Sequence, residues 1–214
     1  GGAARLCSCC QARTTAVTVR EIRAKSILRK NRKIDSWFLS RYGMNLYRGC
    51  AHNCSYCDGR AEKYAVEGAF GEEVSVKINA VELLRRELAP GRVPRARGYV
   101  LLGGGVGDSY QGVESEYRLA RKALELLREL RRPVHILTKS TLVERDLDIL
   151  ASVDRESRAI VSMSFSSADD RISAQLEPGV PAPSRRLETL ARFKAAGLPV
   201  GMFLMPVIPF ITDG

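Results

Sequence analysis

Apolar and polar positions along the chain fall into two alternating periods. Four short apolar runs have the length and aliphatic content of strands buried on both faces. They are Tyr99-Val100-Leu101-Leu102, Val134-His135-Ile136-Leu137-Thr138-Lys139, Ala159-Ile160-Val161-Ser162-Met163-Ser164 and Val200-Gly201-Met202-Phe203-Leu204-Met205. A fifth, Met44-Asn45-Leu46-Tyr47, precedes them. Between them the period lengthens to that of helices. Asn79 opens the first, with Glu82 three residues on in a capping-box arrangement, and Val81, Leu84 and Leu88 on one face before Gly91. The second places Tyr117, Ala120, Leu124 and Leu127 inward and Arg118, Arg121, Lys122 and Arg128 outward, and Pro133 stops it. A third runs around Leu142 to Leu150. A fourth starts at Ser184 with Leu187, Leu190 and Ala191 inward, and is closed by Gly197 and Pro199.

Strand and helix in this order are β/α units around one parallel sheet. The predicted class is α/β, a partial TIM-type (β/α) barrel. A further helix and strand are expected after Thr212-Asp213-Gly214, so the C-terminal part of the barrel is expected to be missing. The last strand is then a bare apolar edge. The expected division is a leader and basic arm over 1–35 and the barrel over 36–214.

The chain has 214 residues and a formal charge of +10, with 45% hydrophobic and 27% charged residues. That is the composition of a soluble globular protein, and no apolar run approaches the length of a membrane span. The N-terminus lacks a signal-peptide pattern, and the expected location is the cytoplasm. The positive charge points to polyanions, nucleic acid among them. Much of it lies in Arg20, Arg23, Lys25, Arg29, Lys30, Arg32 and Lys33, which read equally as a solvated arm or a nucleic-acid contact. Cys7, Cys9 and Cys10 lie in an irregular leader with no frame for a ligand set.

The sharpest chemical signal is Cys50-Ala51-His52-Asn53-Cys54-Ser55-Tyr56-Cys57, a C-x3-C-x2-C pattern. A cubane iron–sulfur cluster takes four ligands, normally cysteine thiolates. Three with no fourth nearby leave one iron open for chemistry. A zinc site is the competing reading, and His52 is the one nearby candidate for its fourth ligand. It would suit a non-catalytic nucleic-acid-binding protein with a structural metal. The other polar candidates stand at strand ends, where a parallel barrel carries its functional loops. Gly103, Gly104 and Gly105 follow one strand, Lys139 ends the next, and Ser164 the one after. His135, inside a strand, reads as a packed residue. Asp108 and Glu114 read as helix caps or substrate contacts more than as an acid/base pair.

The cysteine motif, with Tyr56 before its last cysteine, resembles that of radical S-adenosylmethionine (SAM) enzymes. Tyr47-Arg48-Gly49 ahead of it and Arg60 behind resemble the spore photoproduct lyase-like branch (the DNA repair photolyase-like branch). So do Gly107-Asp108-Ser109-Tyr110-Gln111, His135-Ile136-Leu137-Thr138-Lys139-Ser140 and Leu176-Glu177-Pro178-Gly179-Val180-Pro181. The resemblance implies a partial barrel of the radical SAM kind with a [4Fe-4S] cluster on Cys50, Cys54 and Cys57. It implies reductive cleavage of SAM to a 5′-deoxyadenosyl radical, fed by an electron donor such as flavodoxin or ferredoxin. It also implies that Tyr56 meets the adenine, Gly103 to Gly105 the methionyl amino group, Lys139 the carboxylate and Ser164 the ribose. Asp108, Tyr110 and Gln111 are the expected substrate contacts. Two departures stand out: the DNA-repairing lyase has a tyrosine where this chain has Asp58, and a hydrogen-donating cysteine near Val106-Gly107, where this chain has none.

Overall fold

The computed structural model describes residues 17–61, 69–89, 98–103 and 106–213. The leader cysteines Cys7, Cys9 and Cys10, the helix-ending Gly91, and Gly104 and Gly105 lie outside the described residues.

Five strands form one parallel set: β3 (Ser40–Met44), β6 (Tyr99–Leu102), β7 (Val134–Thr138), β8 (Ala159–Phe165) and β9 (Val200–Leu204). The apolar runs therefore become strands as expected, the first shifted toward the N-terminus. An edge strand, β2 (Leu28–Lys30), pairs antiparallel with β3. A second sheet is made of β1 (Thr18–Ile22), β5 (Glu73–Lys77) and β4 (Tyr47–Arg48). Within the described part of the basic run, Arg20 lies in β1 and pairs with Glu73 at 2.6 Å, Arg23 reaches Glu82 at 3.6 Å, and Arg29 and Lys30 lie in β2.

The strand period of two sorts the side chains of the larger sheet. Val100, Leu102, Val134, Ile136, Ala159 and Val161 join a core with Leu84, Leu124, Leu127, Leu150 and Val153 from the helices. Those helices are α1 (Ala80–Glu87), α2 (Glu114–Tyr117), α3 (Leu119–Glu129), α4 (Leu147–Glu156), α5 (Asp170–Leu176) and α6 (Pro183–Ala195). The opposite face is more polar. His135 sits there, its Nδ1 2.7 Å from Phe38 O and its Nε2 2.8 Å from Ser162 Oγ. It is a packed histidine, and burial holds its pKa below the ordinary value.

Three helix expectations change. Asn79 makes no side-chain cap; its amide instead bridges both backbone groups of Ala24, accepting from N at 2.8 Å and donating to O at 2.9 Å. The helix expected through Tyr117 and Leu127 breaks at Arg118, which takes a left-handed conformation. On α6 the buried face is Arg186, Thr189, Leu190 and Phe193, while Leu187 is exposed. Among the described residues β9 pairs with β8 alone, and Met202 and Leu204 are exposed, the apolar edge expected from the sequence. Among the described residues no helix is long and apolar enough to cross a membrane.

Candidate active site

The cysteine loop follows β4 and is held from four sides. Gln111 accepts from Ala51 N at 2.8 Å through Oε1 and donates to Gly49 O at 3.1 Å through Nε2. Leu176 O accepts from Ser55 N at 2.8 Å, and Gly179 N donates to His52 O at 3.1 Å. Arg60 donates to the carbonyls of Cys54 and Asn53 at 3.0 and 3.1 Å. The fourth side is Asp108, 3.1 Å from His52 Nε2. Three segments of the resemblance, at 107–111, 176–181 and Arg60, are therefore the scaffold of the cysteine loop.

Cys50, Cys54 and Cys57 are free thiols on the wall of one cleft of about 510 Å³. Tyr56, Lys139, Ser164, Asp58, Val106 and Asp108 share that wall, and Phe38, Leu137, Met205 and Pro206 supply its apolar side. Burial raises the Cys50 thiol well above its ordinary value, with Asp108 adding to it, and raises Cys54 to about 11 despite the nearby Lys139. Metal binding here must displace thiol protons. Among the described residues no three His, Cys, Asp or Glu side chains gather around one ion position. In a cubane cluster each thiolate binds its own iron, so the three need not meet at a point. His52 is not a free fourth ligand for zinc: its Nδ1 lies 2.9 Å from Gly179 O, and its Nε2 faces Asp108.

Lys139 Nζ lies 2.9 Å from Glu177 Oε1 and donates to Ser164 Oγ at 3.1 Å. An ammonium has three N–H donors, so one remains for the cleft. Ser164 donates its own proton to Met205 O at 3.3 Å, which leaves it only an acceptor toward a ligand hydroxyl. The Tyr56 ring lies beneath Lys139, 5.6 Å from Nζ to centroid, and its hydroxyl donates to Glu177. Gly103 has φ of +92°, and a Cβ there would stand 2.0 Å from Leu137 O, so close passage against β7 explains this glycine.

The expected substrate contacts need correction. Tyr110 is fully buried with its hydroxyl on Asp146, and both ends of the Gln111 amide are spent on the cysteine loop. Asp108 reaches the cleft but already accepts from Thr138 Oγ1, Lys139 N and Tyr110 N at 2.7–2.8 Å. Burial alone would raise its pKa, and the His52 contact and these donors instead bring it below the usual carboxylate value. Glu114 is buried with Tyr47, Ala120 N and Arg145 as partners, a structural carboxylate rather than an acid or base. Sequence reasoning passed over Glu177 and Arg186. Burial would raise the Glu177 pKa, but Lys139 and Arg186 bring it down to about 2.

The radical SAM superfamily matches residues 44–214. The chain belongs to that superfamily. An uncharacterized protein of Mycobacterium tuberculosis is 33% identical over 201 residues, covering 92% of this chain and 58% of the relative. An uncharacterized protein of Methanocaldococcus jannaschii is 28% identical over 175 residues, 81% of this chain and 63% of its own. Among solved structures, spore photoproduct lyase complexed with dinucleoside spore photoproduct superposes with a TM-score of 0.68 at 17% identity, over 89% of this chain and 52% of that one. A mutant of that lyase with bound AdoMet and the same dinucleoside gives 0.65 at 18%, over 88% and 50%. The chain thus spans between half and two thirds of the length of these relatives.

Proposed function

We propose that this protein is a radical SAM enzyme of the lyase-like branch, holding a [4Fe-4S] cluster through Cys50, Cys54 and Cys57 and SAM in the adjoining cleft. One observation carries the reading: three free thiols line the same cleft as Tyr56, Lys139 and Ser164. When bound and reduced, the cluster supplies the electron that cleaves SAM to methionine and a 5′-deoxyadenosyl radical. The protein's own residues do the rest. Lys139 offers one N–H to the ligand carboxylate, the Tyr56 ring offers a face for the adenine, and Phe38, Leu137 and Met205 keep water from the reacting end. An electron donor of the flavodoxin or ferredoxin kind and a reducing compartment such as the cytoplasm suit this chemistry. Anaerobic reconstitution tests it: about four irons per chain and SAM-dependent 5′-deoxyadenosine support the reading. One bound zinc and no iron would replace it with a structural metal site.

For the substrate we propose nucleic acid other than the spore photoproduct lesion. Asp58 and Val106 lie on the cleft wall, and the chain lacks there the tyrosine and cysteine that resemblance to the repair lyase would require. Incubation with the lesion dinucleotide and SAM is expected to give no turnover; repair at an enzyme-like rate would overturn this.

Exposed basic residues support nucleic acid as the partner. Among the described residues Arg29, Lys30, Arg32 and Lys33 are exposed and no ion pair engages them, whereas Arg20 and Arg23 each face a carboxylate. Trp37, 74% exposed on the turn between β2 and β3, supplies the stacking surface that the charge pattern alone lacks. It is the only tryptophan in the chain, so its fluorescence reads stacking directly. Oligothymidylate is expected to quench it, and Trp37→Ala to weaken binding by roughly tenfold. Glutamine at all four basic positions should lower the salt slope by about 3. Equal quenching by heparin, which has charge without bases, would reduce the contact to charge alone.

A further inference from the structure

Glu177 stands one layer behind the cleft, 1% exposed, at the end of α5. Its Oε1 takes the Tyr56 hydroxyl, Ser166 Oγ at 3.2 Å and Lys139 Nζ at 2.9 Å. Its Oε2 takes Ser173 Oγ at 2.8 Å and Arg186 Nη2 at 2.6 Å. We propose that Glu177 is the positioning residue of the cleft, fixing Lys139 and Tyr56 so that the remaining lysine N–H meets the carboxylate of the bound ligand. This rests on the reading of that ligand as SAM.

Three arguments support the assignment. The first is charge. Glu177 faces two cations, Lys139 and Arg186, while the Asp108 carboxylate accepts from Lys139 N on the cleft side. Arg186 is fully buried, stacked 4.9 Å from the Phe165 ring centroid and bonded to Ser164 O. The Lys139 side chain is 15% exposed and lines the cleft. Of the two cations on Glu177, Lys139 alone lines the cleft, and its ammonium favours an anionic group there.

The second argument is entropy. A lysine side chain carries large rotamer freedom, which a ligand must otherwise quench on binding. Glu177 and Ser164 remove that freedom beforehand, which is the usual basis of preorganised affinity. The third is register. Leu176 O and Gly179 hold the cysteine loop through Ser55 N and His52. One four-residue stretch thus fixes the cysteine loop and, through the Glu177 side chain, the two residues that face the ligand.

A structural carboxylate and a positioning one differ in what they do to ligand preference. The test is equilibrium binding of SAM and of decarboxylated SAM, which differ only in the group Lys139 is held to meet, to the anaerobically reconstituted protein. Wild type should prefer SAM by about tenfold or more. Glu177→Gln combined with Arg186→Met removes both buried charges together, avoiding the strong destabilisation of an unpaired buried guanidinium. Its iron content should be unchanged, while its preference for SAM falls at least about threefold below that of wild type. Glu177→Asp keeps the charge and so does not depend on tolerance of the double change; it withdraws the carboxylate from Lys139 and should lose the preference in the same way. Variants that bind both ligands more weakly but keep the wild-type preference would overturn the proposal, as would variants indistinguishable from wild type. Wild type that binds neither ligand would instead sink the SAM reading, and this proposal with it.

Discussion

Alanine at any one of Cys50, Cys54 or Cys57 is expected to abolish reductive cleavage of SAM, measured as 5′-deoxyadenosine, and to strip most of the iron. Three thiolates are the fewest that hold a cubane while leaving one iron open, so two do not suffice. The loss should be specific to the metal. The loop backbone is tied by Gln111, Leu176, Gly179 and Arg60 through groups other than the cysteine side chains. Removing a buried thiol costs the metal-free protein only on the order of 1 kcal/mol. Melting of the metal-free variants should therefore stay close to wild type while iron content collapses. Loss of Cys7, Cys9 and Cys10 together should leave cleavage nearly intact. Wild-type cleavage by Cys54→Ala would refute the assignment outright.

Strands β6, β7 and β8 are legible in the sequence because each is buried on both faces and reads as a largely apolar run. The second sheet is not. Glu73–Lys77 alternates polar and aliphatic residues and Thr18–Ile22 has no clean period of two, and their pairing comes from partners more than fifty positions apart. The α6 face is misread for a related reason. Hydrophobicity turns Leu187 inward, but the Arg186 guanidinium has a buried carboxylate to meet and turns the helix toward Glu177. The same face buries Leu190 and Phe193, and periodicity alone carries no trace of the ion pair between residues 177 and 186. The candidate site is legible where chemistry is local, as in the cysteine spacing. It is illegible where it depends on contact, as with Tyr110 and Gln111. Their motif does serve the site, but from behind, by holding the loop. The basic run shows the same limit: the sequence lists its charges, and only the fold says which already face carboxylates.

Gly179→Ala is expected to release the cysteine loop without unfolding the sheet. A Cβ at this position would lie 2.6 Å from Ala51 O, 2.9 Å from His52 Cα and 2.9 Å from His52 O. All three atoms are backbone of the loop between Cys50 and Cys54, so no flexible side-chain tip can yield instead. Either the loop or the 176–181 segment must move. Both the Gly179 N to His52 O bond and the His52 Nδ1 contact with Gly179 O then lengthen. Overpacking of this kind costs roughly 1–3 kcal/mol, enough to shift the loop but small against the stability of the five-stranded core. The expected result is a several-fold fall in iron bound on anaerobic reconstitution, with far-ultraviolet dichroism preserved. Gly112→Ala is the control: nothing lies within 4 Å of a Cβ there, and its φ is not in the left-handed region. It should load iron as wild type does. Full iron content in Gly179→Ala would mean that the 176–181 segment gives way more easily than the cysteine loop, and that the packing of this glycine does not set the cluster site.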